Sequence, residues 1–262
     1  MVKVAVIGGS GVYSLVRDPR QLEVETPYGK VTEIYQGEIA STEIIFIPRH
    51  GRKHTLPPHR INYRANIAAL ENLGVERVIA TSAVGSMHTH LEPGRLLLID
   101  QFVDFTKNRQ STFYDGNNTP VVHVDMTEPY CPEIRGILLE AGKELGYDII
   151  PEGTYICVEG PRYETPAEIN LYRNIGGDVV GMTGVPEVVL AREKCMCYAS
   201  IALITNWAAG ISRTKLTTTE VLEIMKVNFD KIKTLLQKAI PKVAEKRTCE
   251  CSCALDNAVI SN

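Results

Sequence analysis

The chain has 262 residues, 44% of them hydrophobic and 23% charged, with 28 basic against 31 acidic side chains and a net charge of −3. Those proportions exclude wholesale disorder, a collagen-like repeat and a coiled-coil rod. They also leave no basic field able to hold a nucleic-acid backbone, so no nucleic-acid partner is expected.

In chain order, the first apolar run covers residues 2–7 and stops at Gly8-Gly9-Ser10-Gly11. It reads as a buried strand, not a signal peptide, which needs a longer apolar core and a small-residue cleavage site. No run approaches the ~20 residues that cross a bilayer. A cytoplasmic protein with no membrane partner is therefore expected. The glycines let backbone N–H groups converge on an anion, and the Ser10 hydroxyl adds a donor. A dinucleotide fingerprint would need a third glycine where Ser14 stands, and no Gly-Lys-Ser/Thr of a phosphate-binding loop follows.

Strands are predicted over 31–36 and 43–48, the second running into Pro48-Arg49-His50-Gly51-Arg52-Lys53-His54. Cations crowded at a strand end repel one another unless solvent or an anion lies beside them, and the Arg fork suits phosphate oxygens. A helix over 62–73 is closed by Gly74. The strand over 77–81 feeds Thr81-Ser82-Ala83-Val84-Gly85-Ser86, a run of small hydroxyls and free amides at a carboxyl end, where open α/β sheets bind ligands. A strand over 95–100 and a helix from Pro132 to just before Gly146 come next.

The strand over 154–159 leads into Arg162-Tyr163-Glu164-Thr165, where Glu164 is either a site carboxylate or a first-turn acid of the helix over 166–174. The strand over 178–181 ends at Met182-Thr183, a helix follows over 186–194, and the strand over 198–205 ends at Asn206-Trp207-Ala208. The last helix starts at Thr217 with Glu220 as a capping box and carries an apolar stripe of Val221, Ile224, Met225, Ile232, Leu235, Leu236 and Ala239. This alternation predicts an α/β fold on a largely parallel sheet. With no repeat or linker in view, one domain over 1–262 is expected, with a cysteine-containing surface tail from about residue 244.

As a set, Gly8-Gly9-Ser10-Gly11, Arg49-His50-Gly51, Ser82–Ser86 (82–86), Glu159-Gly160-Pro161-Arg162, Gly181-Met182-Thr183 with Pro186-Glu187, and Thr205-Asn206 resemble the nucleoside phosphorylase family, which includes methylthioadenosine phosphorylase and trimeric purine nucleoside phosphorylase. The ordered match covers about residues 2 to 240. The resemblance implies a single α/β domain around a mixed, partly barrelled sheet, assembled as trimers or pairs of trimers. It implies phosphorolysis of a purine nucleoside, with phosphate as co-substrate and no cofactor or metal. Ser10, Arg49, His50, Ser82, Ala83 and Thr183 would hold phosphate, with His54 nearby. Met182 would lie under the sugar and Tyr163 would stack on the purine. Thr218 falls near the 5′ pocket.

Glu164 and Asn206-Trp207-Ala208 separate the chain from the methylthioadenosine branch, which resembles it except for a small Ser and an Asp-Tyr-Asp run at these places. Glu and Asn are similar to the oxopurine branch. A 6-oxopurine offers an N1–H donor to Glu164, while Asn206 can donate to O6 and accept from N7–H. The resemblance makes Asn206, Glu164 and His50 the expected catalytic groups, with Ala208 beside Asn206 as a further expected substrate-binding residue. Inosine, guanosine and 5′-methylthioinosine are the expected substrates, with methylthioadenosine phosphorylase as the alternative. A dinucleotide-dependent oxidoreductase and a non-catalytic nucleoside-binding module are the readings from other classes.

Seven cysteines are present, three in a C-x-C-x-C tail at Cys249, Cys251 and Cys253. Zinc sites usually pair ligands two to four residues apart and add a second pair, which the neighbourhood of the tail lacks. A redox-prone or disulfide-stapled tail is favoured over a zinc site, with reduced, unpaired thiols as the other reading. The tail is similar to those of thermophilic family members, and that resemblance implies bridging of Cys131 with Cys197 and within the tail.

Overall fold

The computed structural model describes residues 2–9, 15–116, 119–212 and 217–260. Its strands are β1 (Lys3–Gly8), β2 (Arg17–Val24), β3 (Val31–Ile39), β4 (Thr42–Pro48), β5 (Val75–Ser86), β6 (Leu96–Leu98), β7 (Gln101–Phe105), β8 (Ile149–Ile150), β9 (Thr154–Val158), β10 (Val179–Gly181) and β11 (Cys197–Trp207). Its helices are α1 (Tyr63–Asn72), α2 (Pro132–Glu144), α3 (Pro166–Asn174), α4 (Gly184–Glu193) and α5 (Thr218–Val243).

All the strands join one mixed sheet, which runs β2-β3-β4-β1-β5-β10-β9-β7 and branches at β5 to β11, β6 and β8. The branch replaces the closure that a partly barrelled sheet would show. Parallel pairing dominates around β1, β5 and β11, but β2-β3, β3-β4, β10-β5 and β11-β6 are antiparallel, so the sheet is mixed rather than largely parallel.

Alternation along the central strands feeds two helical layers, because successive side chains of a strand point to opposite faces. Ala5 and Ile7 of β1 join Val78 and Ala80 of β5 and the α1 and α4 residues Ile67, Leu70, Val188 and Leu190. Val4, Val6 and Ile79 instead join Leu138 of α2 and Leu235, Leu236 and Ala239 of α5. Each fully buried leucine in these layers contributes about 1.5–3 kcal/mol.

β5 is bordered by β1 only as far as Ala80 and by β10 only from Gly85. Thr81 to Val84 lie in the gap between these neighbours, while β11 runs along the other edge throughout. The sheet therefore splits where the Thr81–Ser86 run (81–86) lies, and a loop expected there is strand. Such a split is a ready place for a ligand. Among the described residues no helix is long and apolar enough to cross a membrane.

The tail does not hang free of the fold. Ala244, Cys251 and Ala254 are buried, and the Val2 amide donates to the Ala244 carbonyl.

Candidate active site

The split opens into a cavity of about 290 Å³. Its walls include Gly9, Arg49, His50, His54, Ser82, Ala83, Tyr163, Glu164, Met182, Thr183, Asn206 and Thr218. Six separate strand ends and two helix starts thus contribute to one space. Ala208 is not on its wall: it is buried behind Asn206, its amide donating to the Ser86 carbonyl. Ser10 lies outside the described residues.

Arg49 leaves β4 and is 3% exposed. Its Nε and Nη2 each donate to Glu187 of α4 at 2.7 Å, and its Nη1 donates to the Thr81 carbonyl at 3.0 Å. Tyr198 of β11 donates to the same carboxylate at 2.8 Å. Burial opposes the guanidinium charge, but the Glu187 carboxylate outweighs it and holds the Arg49 pKa above its ordinary range. One proton on each terminal nitrogen is left over, since the five-donor fork has used three. Glu187 appeared in the sequence only as part of a motif. Its role as the buried counterion of Arg49 has no local signal, because the two are 138 residues apart.

His50 Nδ1 lies 2.8 Å from the Leu56 carbonyl. A carbonyl only accepts, so Nδ1 carries the proton and Nε2 keeps a lone pair. Burial, with the Arg49 and His54 charges, pushes the His50 pKa down to about 4, against the Leu56 contact. His54 stacks on His50 with ring centroids 4.4 Å apart. The Ser82 hydroxyl is buried with no hydrogen-bond partner. A buried hydroxyl left without a partner on a cavity wall points to a ligand atom.

Met182 and Thr183 follow β10, and Tyr155 fixes their path. Its hydroxyl accepts from the Thr183 and Gly184 amides at 3.1 and 3.3 Å. A Cβ on Gly181 would meet that hydroxyl at 2.5 Å, so only glycine lets the tyrosine reach under the loop. Val185 is extended, so regular helix resumes at Pro186, as the sequence suggests.

The opposite wall is built by a bulge. Along β11, Ile204 pairs with Val84 but Asn206 pairs with Gly85, leaving Thr205 as the extra residue. Bulges of this kind re-aim side chains. Thr205 Oγ1 sits 2.8 Å from Asn206 Oδ1, and Asn206 Nδ2 donates to the Trp207 carbonyl at 3.0 Å. The amide orientation is therefore fixed, with one donor and one acceptor site spare. Glu164 precedes the Thr165 cap of α3, so it is not a first-turn acid; Glu168 fills that place in a complete capping box. Burial raises the Glu164 pKa above its ordinary value.

At Thr217 only half of the expected box forms: its side chain accepts from the Glu220 amide. The α5 stripe also divides. Leu235, Leu236 and Ala239 enter the core, Val221 and Leu222 line the cavity beside Thr218, and Met225, Phe229 and Ile232 between them touch both. Nothing in a helical period tells a core face from a pocket face, so these cavity residues were not distinguishable in the sequence.

A family model described as the phosphorylase superfamily matches residues 3–241. The 6-oxopurine nucleoside phosphorylase of Pyrococcus furiosus is 53% identical, covering 98% of this chain and 99% of the relative. S-methyl-5′-thioadenosine phosphorylase of Thermofilum pendens is 48% identical over 99% of each chain. Among solved structures, a mutant adenosine/methylthioadenosine phosphorylase from Schistosoma mansoni in complex with methylthioadenosine superimposes with a TM-score of 0.90 at 32% identity, covering 96% of this chain and 95% of that one. The match runs from the start of β1 into α5 and so spans both walls of the split sheet, and the chain belongs to the phosphorylase superfamily.

Proposed function

We propose that the chain is a pentosyltransferase that cleaves 6-oxopurine nucleosides with phosphate, giving free base and a ribose 1-phosphate. The observation that carries this is one cavity with a cationic, hydroxyl-rich wall at Arg49, His50, Ser82 and Thr183 and a carboxylate and an amide, Glu164 and Asn206, on another part of its lining. Phosphate oxygen attacks the anomeric carbon as the bond from that carbon to purine N9 breaks. No cofactor enters this balance. Positive charge grows on the sugar and negative charge on the purine, and donors that meet those charges accelerate the chemistry. Asn206 stabilises the departing base at O6 and N7, and Glu164 accepts from N1–H. Tyr163 covers the base and Met182 underlies the sugar. Gly9 lies on the cavity wall.

The α5 residues Val221, Leu222 and Met225 beside Thr218 make the 5′ end apolar. This favours acceptance of a 5′-methylthio group together with a 5′-hydroxyl. A trimer or dimer of trimers is part of the reading, supported by exposed apolar side chains at Leu171, Ile175 and Val227. So is a cytoplasmic location, which suits seven cysteines none of which is in a disulfide.

The test is base release from inosine, guanosine, adenosine, methylthioinosine and methylthioadenosine, with and without phosphate. Release from the two inosines and guanosine, absent without phosphate, is expected. Equal or faster cleavage of the adenine nucleosides would refute the oxopurine reading and favour the methylthioadenosine one.

Phosphate binding should also carry a pH signature. His50 is neutral at every pH well above 4, and its free Nε2 can only accept. A phosphate oxygen beside it must therefore bring a proton. Apparent phosphate affinity should be flat while free phosphate is the monoanion and fall about tenfold per pH unit once it is the dianion. Phosphate KM measured from about pH 5 to about pH 9 reads this slope. His50→Ala should flatten it, and a flat wild-type profile would remove the role.

A further inference from the structure

On the far side of the sheet from α1 and α4, four cysteines come together from three distant parts of the chain. Cys131 caps the start of α2, Cys197 opens β11, and Cys249 and Cys251 belong to the tail. Their sulfurs all lie within 4.8 Å of one another. Cys249 Sγ is 3.6 Å from Cys131 Sγ and 3.3 Å from Cys197 Sγ. All seven cysteines are free, so the bridge expected between Cys131 and Cys197 is not what the structure shows.

We propose that Cys131, Cys197, Cys249 and Cys251 form a structural Zn²⁺ site that clamps the C-terminal tail to the sheet and to α2. Four thiolates about 2.3 Å from a common zinc stand about 3.8 Å apart at the corners of a tetrahedron. The separations here suit that arrangement, and one sulfur placed almost evenly between two others suits a shared centre better than either pairing. The set also answers the spacing objection: the second ligand pair is not near the tail in sequence, but is supplied one residue each by α2 and β11.

The surroundings fit a tetrathiolate zinc, which carries two negative charges. Arg77 is the register partner of Cys197 on β5 and is fully buried. Its Nη2 donates to Glu133 at 2.6 Å, but its Nε and Nη1 find no partner. An unpaired buried guanidinium face is costly, and sulfur anions beside it would offset that cost. Donors around the ligands are a general feature of metal sites. Glu133 Oε2 in turn accepts from the Thr248 and Cys249 amides at 2.8 and 2.9 Å, which sets the approach of the tail. The Cys131 amide donates to the Tyr198 carbonyl at 2.7 Å and fixes the start of α2 against β11. Cys253 is exposed and stands outside the cluster.

The experiment is elemental analysis of the full-length protein, purified with reductant and without chelator. About one zinc per chain is expected, released by a mercurial that titrates thiols. Cys251→Ser and Cys197→Ser should each lose most of it, whereas Cys253→Ser should keep it. Since a cluster variant can fail to fold, the wild type is also stripped, reduced anaerobically and titrated with Co²⁺. Saturation at one equivalent with the visible bands of tetrahedral Co²⁺ and thiolate charge transfer is expected. Stripping should lower Tm by about 10 °C or more. Little zinc together with no such Co²⁺ spectrum would overturn the site, as would disulfides among these four cysteines in protein prepared without air, or loss of the metal from Cys253→Ser.

Discussion

In a Glu164→Ser, Asn206→Asp double variant, adenine nucleosides should overtake inosine. The edge of adenine inverts that of a 6-oxopurine: N1 accepts where N1–H donated, and N6 donates where O6 accepted. An ionised Glu164 then faces a lone pair, and the Asn206 Nδ2 donor faces another donor. Each mismatch in a closed site costs about 1–3 kcal/mol, so two corrected mismatches move the kcat/KM ratio by about 10²-fold or more. Steady-state kinetics on inosine and adenosine read the ratio directly; an unchanged ratio would show that these two side chains do not read the base. Asn206→Ala alone should cost about 10²–10³ in kcat, the scale of losing a donor aimed at developing charge. The wild type should show a related pH trend. Burial raises the Glu164 pKa, so its protonated fraction grows as pH falls towards that value. A protonated carboxyl can donate to adenine N1, and the oxopurine preference should narrow on the acid side and widen on the neutral side.

The second large effect is expected at Glu187→Ala. The carboxylate is 1% exposed and meets both Arg49 and Tyr198. Its removal leaves a buried guanidinium without a counterion, which costs about 3–5 kcal/mol. At about 2–4 °C per kcal/mol in a chain near this size, Tm should fall by about 10 °C or more. Arg49 should also lose its fixed orientation, and the phosphate KM should rise more than the nucleoside KM. Glu187→Gln, which keeps an acceptor but not the charge, should lie between. Differential scanning calorimetry and phosphate titration of both variants check this. A Glu187→Ala variant as stable as the wild type would mean that Arg49 finds another acceptor.

These side chains show what a sequence can and cannot disclose. β1, β4, β9 and β11 were legible because strands covered on both faces read as unbroken apolar runs. β2 was not: its residues, with Pro19 and several charges, are almost all exposed, as befits a protected sheet edge. β5 was read too short, because Thr81-Ser82-Ala83 looks like a turn until β11 is known to pair with it. Arg49, His50, Ser82 and Thr183 could be picked out as anion donors from their places at strand ends. What those donors lean on could not: Glu187 beneath Arg49, Tyr155 beneath Thr183 and the Thr205 bulge beside Asn206 are all long-range or register effects. The cysteines repeat the lesson, since Cys131 and Cys197 show no spacing that relates them to the tail.

The position of β11 beside β5 bears on how the chain matures. β5 is complete by residue 86, yet the strand that covers its second edge is not finished until residue 207, and the pocket wall on α5 comes later still. A nascent chain emerging from the ribosome must therefore hold Ile79, Leu96 and Leu98 without their partners Ile201 and Leu203 for more than a hundred residues of synthesis. Truncation ahead of β11 removes more than a terminus: it leaves a bare apolar strand edge, the kind of surface on which chains stick to one another. Competence to bind substrate therefore comes late in translation, only after both β11 and the cavity face of α5 have been made.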